Sequence, residues 1–333
     1  MSASRRSWNA AAFWRRAPDA VKLFITGISG LLGLNIALQA RERFQVSGCY
    51  HAHPVRLDGV QSLGMDLATP GQWEAALRET QPDVVIHTAG LTSVEGCEAD
   101  PVLAQRLNVG VAQDVATVAR EVGVRLVHIS TDHLFDGTRP WRTEADRPAP
   151  LNVYARTKWE AEQAVLEACP DALIIRTNFF GWGTPVRPSF SDWVLRGLEE
   201  GRELHMFLDV FFTPILINSL GELLLELVER GTAGVFHVAG GERLSKYEFG
   251  LKLAETFGYP SGRIRPSSVD EFPFKAQRPK DMSLRTDAVT RLLGRQMPLV
   301  SEGLARLRRL GEAGWPTAVG AALQGADTLK RRR

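Results

Sequence analysis

Short, continuously apolar runs alternate with longer helical stretches through the first half of the chain, and this alternation limits the possible folds more than any other feature. The runs lie at residues 21–26, 45–50, 84–86, 126–129 and 173–175. Strands with little polar alternation are covered on both faces, and strands that alternate with helices form parallel sheets. We therefore predict an α/β fold with a doubly wound, Rossmann-type parallel sheet.

A glycine-rich turn follows the first apolar run. Gly27, Gly30 and Gly33 are spaced Gly-x-x-Gly-x-x-Gly before a predicted helix. Gly27 permits a tight bend, Gly30 lets the backbone approach a pyrophosphate, and Gly33 lets the helix pack on the strand, while the helix N-terminus faces the anion. The turn, with Ser29 and Leu31, is predicted to bind a dinucleotide, although glycines near strand ends also form plain turns.

The segment after the second apolar run contains no carboxylate. NAD-selective sites often carry an acid near the end of the second strand, where it binds the adenosine ribose. Residues 49–56 offer His51, His53 and Arg56 instead. We predict that these side chains meet a 2′-phosphate and that the cofactor is NADPH, with NADH as the alternative. An ordinary solvated loop or a His-x-His metal pair would also explain them. Asp66, followed by Leu67, is predicted to reach the adenine amine.

Tyr154 and Lys158 are four residues apart on a predicted helix and therefore share one face. A phenol with its ordinary pKa of about 10 is a weak acid at neutral pH, and a neighbouring cation stabilises its phenolate. Thr131 follows the fourth apolar run and adds a hydroxyl. We predict that Tyr154 protonates a carbonyl oxygen as nicotinamide delivers hydride, that Thr131 donates a hydrogen bond to that oxygen, and that Lys158 also holds the nicotinamide ribose.

Asn108 lies inside a predicted helix although asparagine has poor helix propensity. Two interpretations remain open. The residue opens a backbone hydrogen bond and seats a water that relays protons to Lys158, or it is an exposed helical residue. His87, His128 and His237 lie in or beside apolar runs and are predicted to be packed histidines, not ligands.

The pattern of the chain changes after Arg176. Residues 178–185 combine turn formers with aromatic side chains and do not continue the strand and helix repeat. We predict a Rossmann domain that binds NAD(P) at 21–176, and at 177–312 a smaller C-terminal α+β lobe that binds substrate and partly returns to the core sheet. A disordered basic extension is expected at 1–20 and a tail at 313–333.

Composition restricts the partners of the chain. Forty basic and 38 acidic residues leave a formal charge of +2 without a basic stripe, so we expect neither nucleic acid nor membrane binding but a small-molecule substrate. Cys49, Cys97 and Cys169 are odd in number and lack metal-type spacing. We therefore expect no disulfide framework, no bound metal and a cytoplasmic location.

The chain resembles the extended short-chain dehydrogenase/reductase superfamily and, within it, the dTDP-4-dehydrorhamnose reductase branch. The residues that carry this resemblance span about 21–310, and the string around Thr131 is the most specific of them. They are Thr26-Gly27-x-x-Gly30-x-x-Gly33, residues 87–94 with Glu98 and Asn108, Ser130-Thr131-Asp132-x-x-Phe135-Asp136-Gly137, Tyr154 with Lys158, and residues 278–284.

The resemblance implies NADPH-dependent, or dual-cofactor, reduction of the C4 ketone of a deoxythymidine-diphospho-6-deoxy sugar. It assigns the catalytic roles to Thr131, Tyr154 and Lys158, places nicotinamide contacts near Ala89 and Gly90, and suggests a homodimer. Substrate contacts are expected at Thr92, Thr131, Asn178, Phe179 and Arg278.

Three departures from the branch pattern concern specificity. His133 replaces a frequent tyrosine and Ala155 a frequent glycine, and both are expected to affect mainly packing. Residues 211–214 read Phe-Phe-Thr-Pro where the reductase carries Gly-x-Pro-Thr, which leaves rhamnose specificity open.

Other functions fit the same resemblance. A sugar-nucleotide dehydratase shares the tyrosine and lysine but typically has an acid where this chain has His133. A 4-epimerase would retain its cofactor and consume no NADPH. The cofactor-binding regulatory subunit of methionine adenosyltransferase belongs to another functional class, and it too resembles this branch.

Overall fold

The computed structural model describes residues 21–69 and 71–324. In chain order its strands are β1 Lys22–Thr26, β2 Gln45–Tyr50, β3 Val60–Gly64, β4 Val84–His87, β5 Arg125–Ile129, β6 Leu173–Arg176, β7 Phe179–Phe180, β8 Leu204–Phe207, β9 Phe211–Phe212, β10 Ile215–Leu216, β11 Gly234–His237, β12 Leu244–Ser245 and β13 Ile264–Ser267. Seven of them form one parallel sheet in the order β11-β6-β5-β4-β1-β2-β3. The predicted doubly wound parallel sheet is confirmed.

Helices cover both faces of this sheet. In chain order the α-helices of the described residues, including those of the lobe, are α1 Leu31–Ala40, α2 Gln72–Thr80, α3 Val94–Ala99, α4 Pro101–Gln105, α5 Val111–Val122, α6 Val153–Ala168, α7 Phe190–Glu199, α8 Ile217–Glu229, α9 Lys246–Phe257, α10 Asp287–Leu293, α11 Val300–Glu312 and α12 Trp315–Gln324. Apolar residues of α1, α8 and α12 pack in one core cluster with the sheet, and those of α2, α5 and α6 pack in another. Burial of both sheet faces explains why the strands read as continuous apolar runs.

The strand order reverses between β4 and β1, because β1 is followed in space by β2 on one side and by β4 on the other. Such a reversal opens a crevice at the carboxyl ends of the strands. The glycine turn after β1 and the segments after β4 and β5 all begin at this edge. The topology therefore brings together the motifs that lie far apart in sequence.

A smaller lobe lies after β6 and has its own apolar core. Phe180, Phe212, Phe249 and Ile264 belong to this core, and short strand pairs join β7 to β10, β9 to β12 and β8 to β13. The chain also returns to the main sheet through β11, which pairs with β6.

The segment predicted to be a tail differs from that prediction in its first half. Helix α12 lies within it, and Val319, Ala322 and Leu323 are buried in the core of the sheet domain. Burial of these apolar side chains favours a packed helix over a solvated tail. The predicted extension at 1–20 lies outside the described residues. In the part of the chain that the structure describes, no helix combines the length and apolar character needed to cross a bilayer.

Candidate active site

A cavity of about 900 Å³ lies at the carboxyl edge of the sheet, between the glycine turn and the lobe. Most of the residues predicted from the sequence line it, namely Gly27, Ser29, Gly30, Leu31, His51, Asp66, Leu67, Ala89, Gly90, Thr92, Thr131, Tyr154, Lys158, Asn178 and Phe179. Gly33 and Arg278 lie outside the lining. The fold thus gathers the predicted catalytic residues and most of the predicted cofactor and substrate residues around one space.

The glycine turn packs closely against neighbouring backbone at two of its glycines. Gly27 has φ +67°, and a Cβ added there would lie 3.0 Å from the Cα of Ala89. A Cβ at Gly33 would lie 2.4 Å from the Gly27 carbonyl oxygen, so this glycine serves the packing of α1 on the turn. Within the described structure, no side chain caps α1 at Gly30. The first N–H groups of α1 therefore suit a pyrophosphate.

The loop after β2 and the segment after β3 form another part of the cavity wall. His51 and His53 line it and are exposed, whereas Arg56 lies outside the lining. Asp66 accepts a hydrogen bond from the Ala68 N–H at 2.9 Å through Oδ1. A dinucleotide laid from the glycine turn towards this loop would place its adenosine among residues that carry no carboxylate other than Asp66.

Helix α6 carries the tyrosine and the lysine. Asn152 caps it by accepting the Ala155 N–H at 2.9 Å, and Tyr154, Lys158 and Glu162 then follow at four-residue spacing on one buried face. The Lys158 ammonium donates to the Ile129 carbonyl oxygen at 2.7 Å and lies 3.5 Å from His128 Nε2. An ammonium has three N–H donors, so one remains for a ligand.

Burial controls the ionisation of both side chains. It raises the pKa of Tyr154 to about 12, against a smaller opposite effect of the hydrogen bond with Thr131. It lowers the pKa of Lys158 to about 8, against the raising effect of the Glu162 carboxylate. The sequence predicted that the charge of Lys158 acts on the phenol, but desolvation has the largest effect on the pKa of Tyr154. The phenol is therefore fully protonated at neutral pH, as a proton donor must be.

Thr131 connects Tyr154 to a buried carboxylate that the sequence analysis did not select. Its hydroxyl donates to Asp132 Oδ1 at 3.3 Å and accepts the His133 N–H at 3.2 Å. Asp132 also accepts from Asn178 Nδ2 at 2.8 Å. Burial raises the pKa of Asp132 to about 6, against the lowering effect of the Lys246 ammonium. Asp132 belongs to the Ser-Thr-Asp string seen in the sequence, but its burial and its raised pKa are visible only in the structure.

His133 was predicted to affect mainly packing, and in the structure it also reaches the cavity. The side chain lines the cavity, and its ring meets that of Tyr154 edge to face at 5.7 Å. Desolvation lowers the pKa of His133 to about 3, so the ring is neutral at physiological pH. Residue 133 therefore lies where it can contact a ligand. By contrast, Ala155 is buried, and Phe212 belongs to the lobe core.

The predicted packed histidines are buried. His87 and His128 stack at a centroid distance of 5.3 Å below Lys158, and His87 Nδ1 lies 2.7 Å from Thr26 Oγ1. Burial lowers the pKa of both rings, that of His87 to about 3. These rings are neutral core residues. His237 is likewise buried and neutral.

Asn108 occupies a π-helical turn at Arg106–Gly110, which interrupts the single helix predicted over this stretch. Its side chain is buried, so the exposed interpretation is wrong. Oδ1 accepts the Leu91 N–H at 2.7 Å, while Nδ2 donates to the Leu91 carbonyl at 3.1 Å and to Thr157 Oγ1 at 3.0 Å. These bonds position the loop that follows β4, where Ala89 and Gly90 line the cavity.

Arg278 lies at the boundary between the two domains. Its Nη2 donates to Glu95 Oε1 at 2.8 Å, and Glu95 Oε2 accepts the Lys275 N–H at 3.1 Å. Asn152 Nδ2 donates to the Gln277 carbonyl at 2.8 Å. We call residues 272–278 the strap, because these bonds tie the segment to α3 and to the start of α6.

Other lining residues were missed by sequence reasoning. Val186, Arg187 and Pro188 line the cavity just after the aromatic stretch that we assigned to substrate. Thr88, Ser130 and Thr177 also line it, and each follows a strand of the main sheet. Their positions after strand ends were the available signal, since that edge of a parallel sheet faces the site.

A doubly wound sheet, a glycine turn at its point of reversal, and a threonine, a tyrosine and a lysine beside that turn define the extended short-chain dehydrogenase/reductase class. The comparison with protein families gives the narrower assignment. The chain belongs to the family described as RmlD substrate binding domain, whose model matches residues 21–309.

Individual relatives agree with this assignment. The chain is 33% identical to a probable low-salt glycan biosynthesis reductase of Haloferax volcanii, over 85% of this chain and 96% of that protein. It is 30% identical to methionine adenosyltransferase 2 subunit beta of Rattus norvegicus, over 83% and 84% respectively. The crystal structure of dTDP-4-dehydrorhamnose reductase from Bacillus anthracis in complex with NADP is similar with a TM-score of 0.77 and 28% identity, and covers 87% of this chain and 99% of that one.

Proposed function

We propose that this protein is a reductase that uses NADPH, or alternatively NADH, to reduce the ketone of a 4-keto-6-deoxy nucleotide sugar. The observation that carries the proposal is the grouping of Thr131, Tyr154 and Lys158 in one cavity with the glycine turn. The similarity to a dTDP-4-dehydrorhamnose reductase crystallised with NADP supports both the substrate class and the cofactor.

The residues present fit a dinucleotide. The turn at Gly27 leaves no room for a Cβ, and the uncapped start of α1 offers N–H donors to phosphate. Among the residues that line the cavity, His51 and His53 would hold the adenosine ribose and its 2′-phosphate, Ala89 and Gly90 would contact the nicotinamide, and the remaining N–H of Lys158 would bind the nicotinamide ribose. The bound cofactor supplies the hydride that reaches the carbonyl carbon.

The proton comes from Tyr154. Its phenol, with a pKa raised to about 12, is protonated and transfers its proton to the carbonyl oxygen as the carbon receives hydride, so that ketone becomes alcohol. The Lys158 ammonium stabilises the phenolate until solvent reprotonates it. Thr131 rotates its hydroxyl from Asp132 to the substrate oxygen and stabilises the developing charge.

The substrate enters on the lobe side of these groups. Asn178, held by Asp132, and Phe179 line that side, and Val186 to Pro188 close it. Phe212, in the segment that departs from the branch pattern, packs in the lobe core and lies outside the lining. Residues 211–214 do not line the cavity, so this segment does not identify the sugar, and the proposal names only the substrate class.

A coupled assay tests this proposal. Purified protein is given NADPH or NADH and enzymatically generated dTDP-, GDP- and CDP-4-dehydro-6-deoxy sugars, and cofactor oxidation is followed by absorbance with product identified by mass. We expect turnover with at least one nucleotide sugar. Tyr154→Phe should lower kcat by about 10²- to 10⁴-fold and leave the Kd for NADPH within about twofold, because the phenol acts on the substrate oxygen; Tyr259→Phe, in the lobe, is the matched control.

A regulatory role is the second candidate, because the chain shares 30% identity with methionine adenosyltransferase 2 subunit beta. That role predicts NADPH binding without consumption across the whole panel and no effect of Tyr154→Phe. Such a result would contradict the reductase proposal.

A further inference from the structure

Helix α12 lies beyond the part of the chain that the family model matches, which ends at residue 309. Its contacts nevertheless reach two segments of the dinucleotide site. One is α1, whose N-terminus faces the pyrophosphate, and the other is the loop after β2, which carries His51 and His53. The described side chains of α12 do not line the cavity themselves, so any effect of this helix on a bound cofactor must act through these two segments.

The contact with α1 runs through a buried amide. Trp315 Nε1 donates to Asn35 Oδ1 at 2.8 Å, and Asn35 Nδ2 donates to the Leu31 carbonyl at 2.9 Å and to the Trp182 carbonyl at 3.1 Å. Asn35 is fully buried, so all of its hydrogen bonds are made within the protein. The start of α12 is therefore fixed to the first turns of α1.

The contact with the loop after β2 is made at the other end of α12. The Arg56 N–H donates to the Ala322 carbonyl oxygen at 2.8 Å. Carbonyls in the last turn of a helix have no partner within the helix, so this bond serves both segments. Val55, next to Arg56, is buried in the same apolar cluster as Val319, Ala322 and Leu323. The loop is thus fixed two to three residues after His53.

We propose that α12 is a positioning element that makes this protein selective for a dinucleotide carrying a 2′-phosphate. The inference rests on the proposed function, because it assumes that His51 and His53 meet the adenosine end of the cofactor. The two histidines are exposed and lie on a stretch without regular structure. A flexible loop must be ordered when it closes on a phosphate, and the ordering of each side chain reduces affinity. Attachment to α12 orders part of the loop before the ligand binds and therefore reduces this loss of affinity.

Small ligands can test this effect separately from catalysis. Adenosine 2′,5′-bisphosphate and adenosine 5′-monophosphate differ only in the 2′-phosphate, so the ratio of their Kd values, measured by calorimetry, reports the loop. Thymidine diphosphate reports the substrate side. Two variants disrupt α12. One ends after Gly314, and the other is Ala321→Pro, which breaks the last turn at an exposed position; Ala321→Ser is its matched control.

We expect the wild type to prefer the bisphosphate. Ala321→Pro and the truncated protein should lose about tenfold of that preference, which corresponds to about 1.4 kcal/mol. In Ala321→Pro, which keeps Trp315 and its bond to α1, binding of the monophosphate and of thymidine diphosphate should stay within about twofold. Equal weakening of all three ligands, an unchanged ratio, or a wild type without preference would overturn the inference. A wild type that binds thymidine diphosphate but neither adenosine compound nor NADPH would instead contradict the proposed function, and the inference would fall with it.

Discussion

At the scale of single residues, burial shifts the pKa values of Tyr154 and Lys158, the proposed catalytic pair, in opposite directions. The pKa of Tyr154 rises to about 12 while that of Lys158 falls to about 8. In both cases desolvation disfavours the charged form. The neutral phenol is the form needed to give up a proton, and the ammonium keeps its charge over most of the physiological range.

This difference predicts the pH dependence of turnover. We expect kcat for ketone reduction to fall as pH rises through about 8, because loss of the Lys158 proton removes the cation that stabilises the phenolate. Steady-state rates at saturating substrate across neutral and alkaline pH measure this limb. Lys158→Arg keeps a cation with a much higher pKa, so its limb should move to higher pH even if the rate is lower. A limb at the same pH in both proteins would assign it to another group.

At the scale of secondary-structure elements, α6 places a third charged residue on the face that carries Tyr154 and Lys158. Glu162 is fully buried and binds Arg176 through three contacts of 2.7 to 3.1 Å. Its carboxylate also raises the pKa of Lys158. One helix face therefore combines the proposed catalytic pair with the ion pair that joins α6 to β6.

Glu162→Gln should act on stability and on catalysis together. Removal of one partner of a buried ion pair costs about 3–5 kcal/mol, which denaturant unfolding will show. The alkaline limb of kcat should shift to lower pH, since the charge that raises the pKa of Lys158 is lost. Glu160→Gln is the control on the same helix, because Glu160 pairs with Arg156 on the exposed surface. A limb that stays in place would show that Glu162 is only structural.

The π-helical turn before α5 gives a second prediction at this scale. Asn108 supplies the three bonds that hold Leu91 and Thr157. Asn108→Ala leaves the N–H and the carbonyl of Leu91 without these partners, and we expect a loss of about 1–3 kcal/mol in the free energy of unfolding. Gln113→Ala, at an exposed position of α5, should change it by less than about 0.5 kcal/mol. Equal losses in both variants would contradict this assignment.

These elements also show what local sequence patterns determine. The spacing of Tyr154 and Lys158 predicted a shared helix face, and the apolar runs predicted the strands, because both depend on periodicity along the chain. The π turn depends instead on a tertiary bond from Asn108 to Leu91, which no local pattern contains. Helix α12 was missed because residues 315–324 include Pro316 and Gly320 and carry no charge, so the core beneath them decides their conformation.

At the scale of the whole molecule, two apolar cores meet at the cavity. The sheet domain supplies the glycine turn, Tyr154 and Lys158, and the segment after β6 supplies Asn178 and Phe179, of which Phe179 packs against the sheet core. The bonds between these two units were not predicted from the sequence. Those bonds include Asp132 with Asn178 and Glu95 with Arg278, whose partners are 46 and 183 residues apart. Such distant pairs follow from the fold and not from any motif.

At the scale of the whole molecule, the bonds between the strap and α3 are expected to affect substrate binding. Glu95 accepts hydrogen bonds from both Arg278 and the Lys275 backbone, so it fixes the strap to α3, beside Thr92 at the rim of the cavity. Glu95→Gln removes the charge at this junction. We expect the KM for the nucleotide sugar to rise by no more than about fivefold, because a partly exposed ion pair contributes about 0–1 kcal/mol, while the KM for NADPH stays unchanged.

A matched control separates this effect from a general loss of surface charge. Glu222→Gln breaks the ion pair with Arg306, which is also partly exposed and lies outside the lining of the cavity. Its KM values should equal those of the wild type. If Glu95→Gln instead raised both KM values equally, the strap would support the sheet domain as a whole, and the substrate side would have no special dependence on it. If only the KM for the nucleotide sugar changes, the bond between the strap and α3 affects the side of the cavity that binds the sugar. The NADPH side does not depend on that bond, because contacts within the sheet domain hold it.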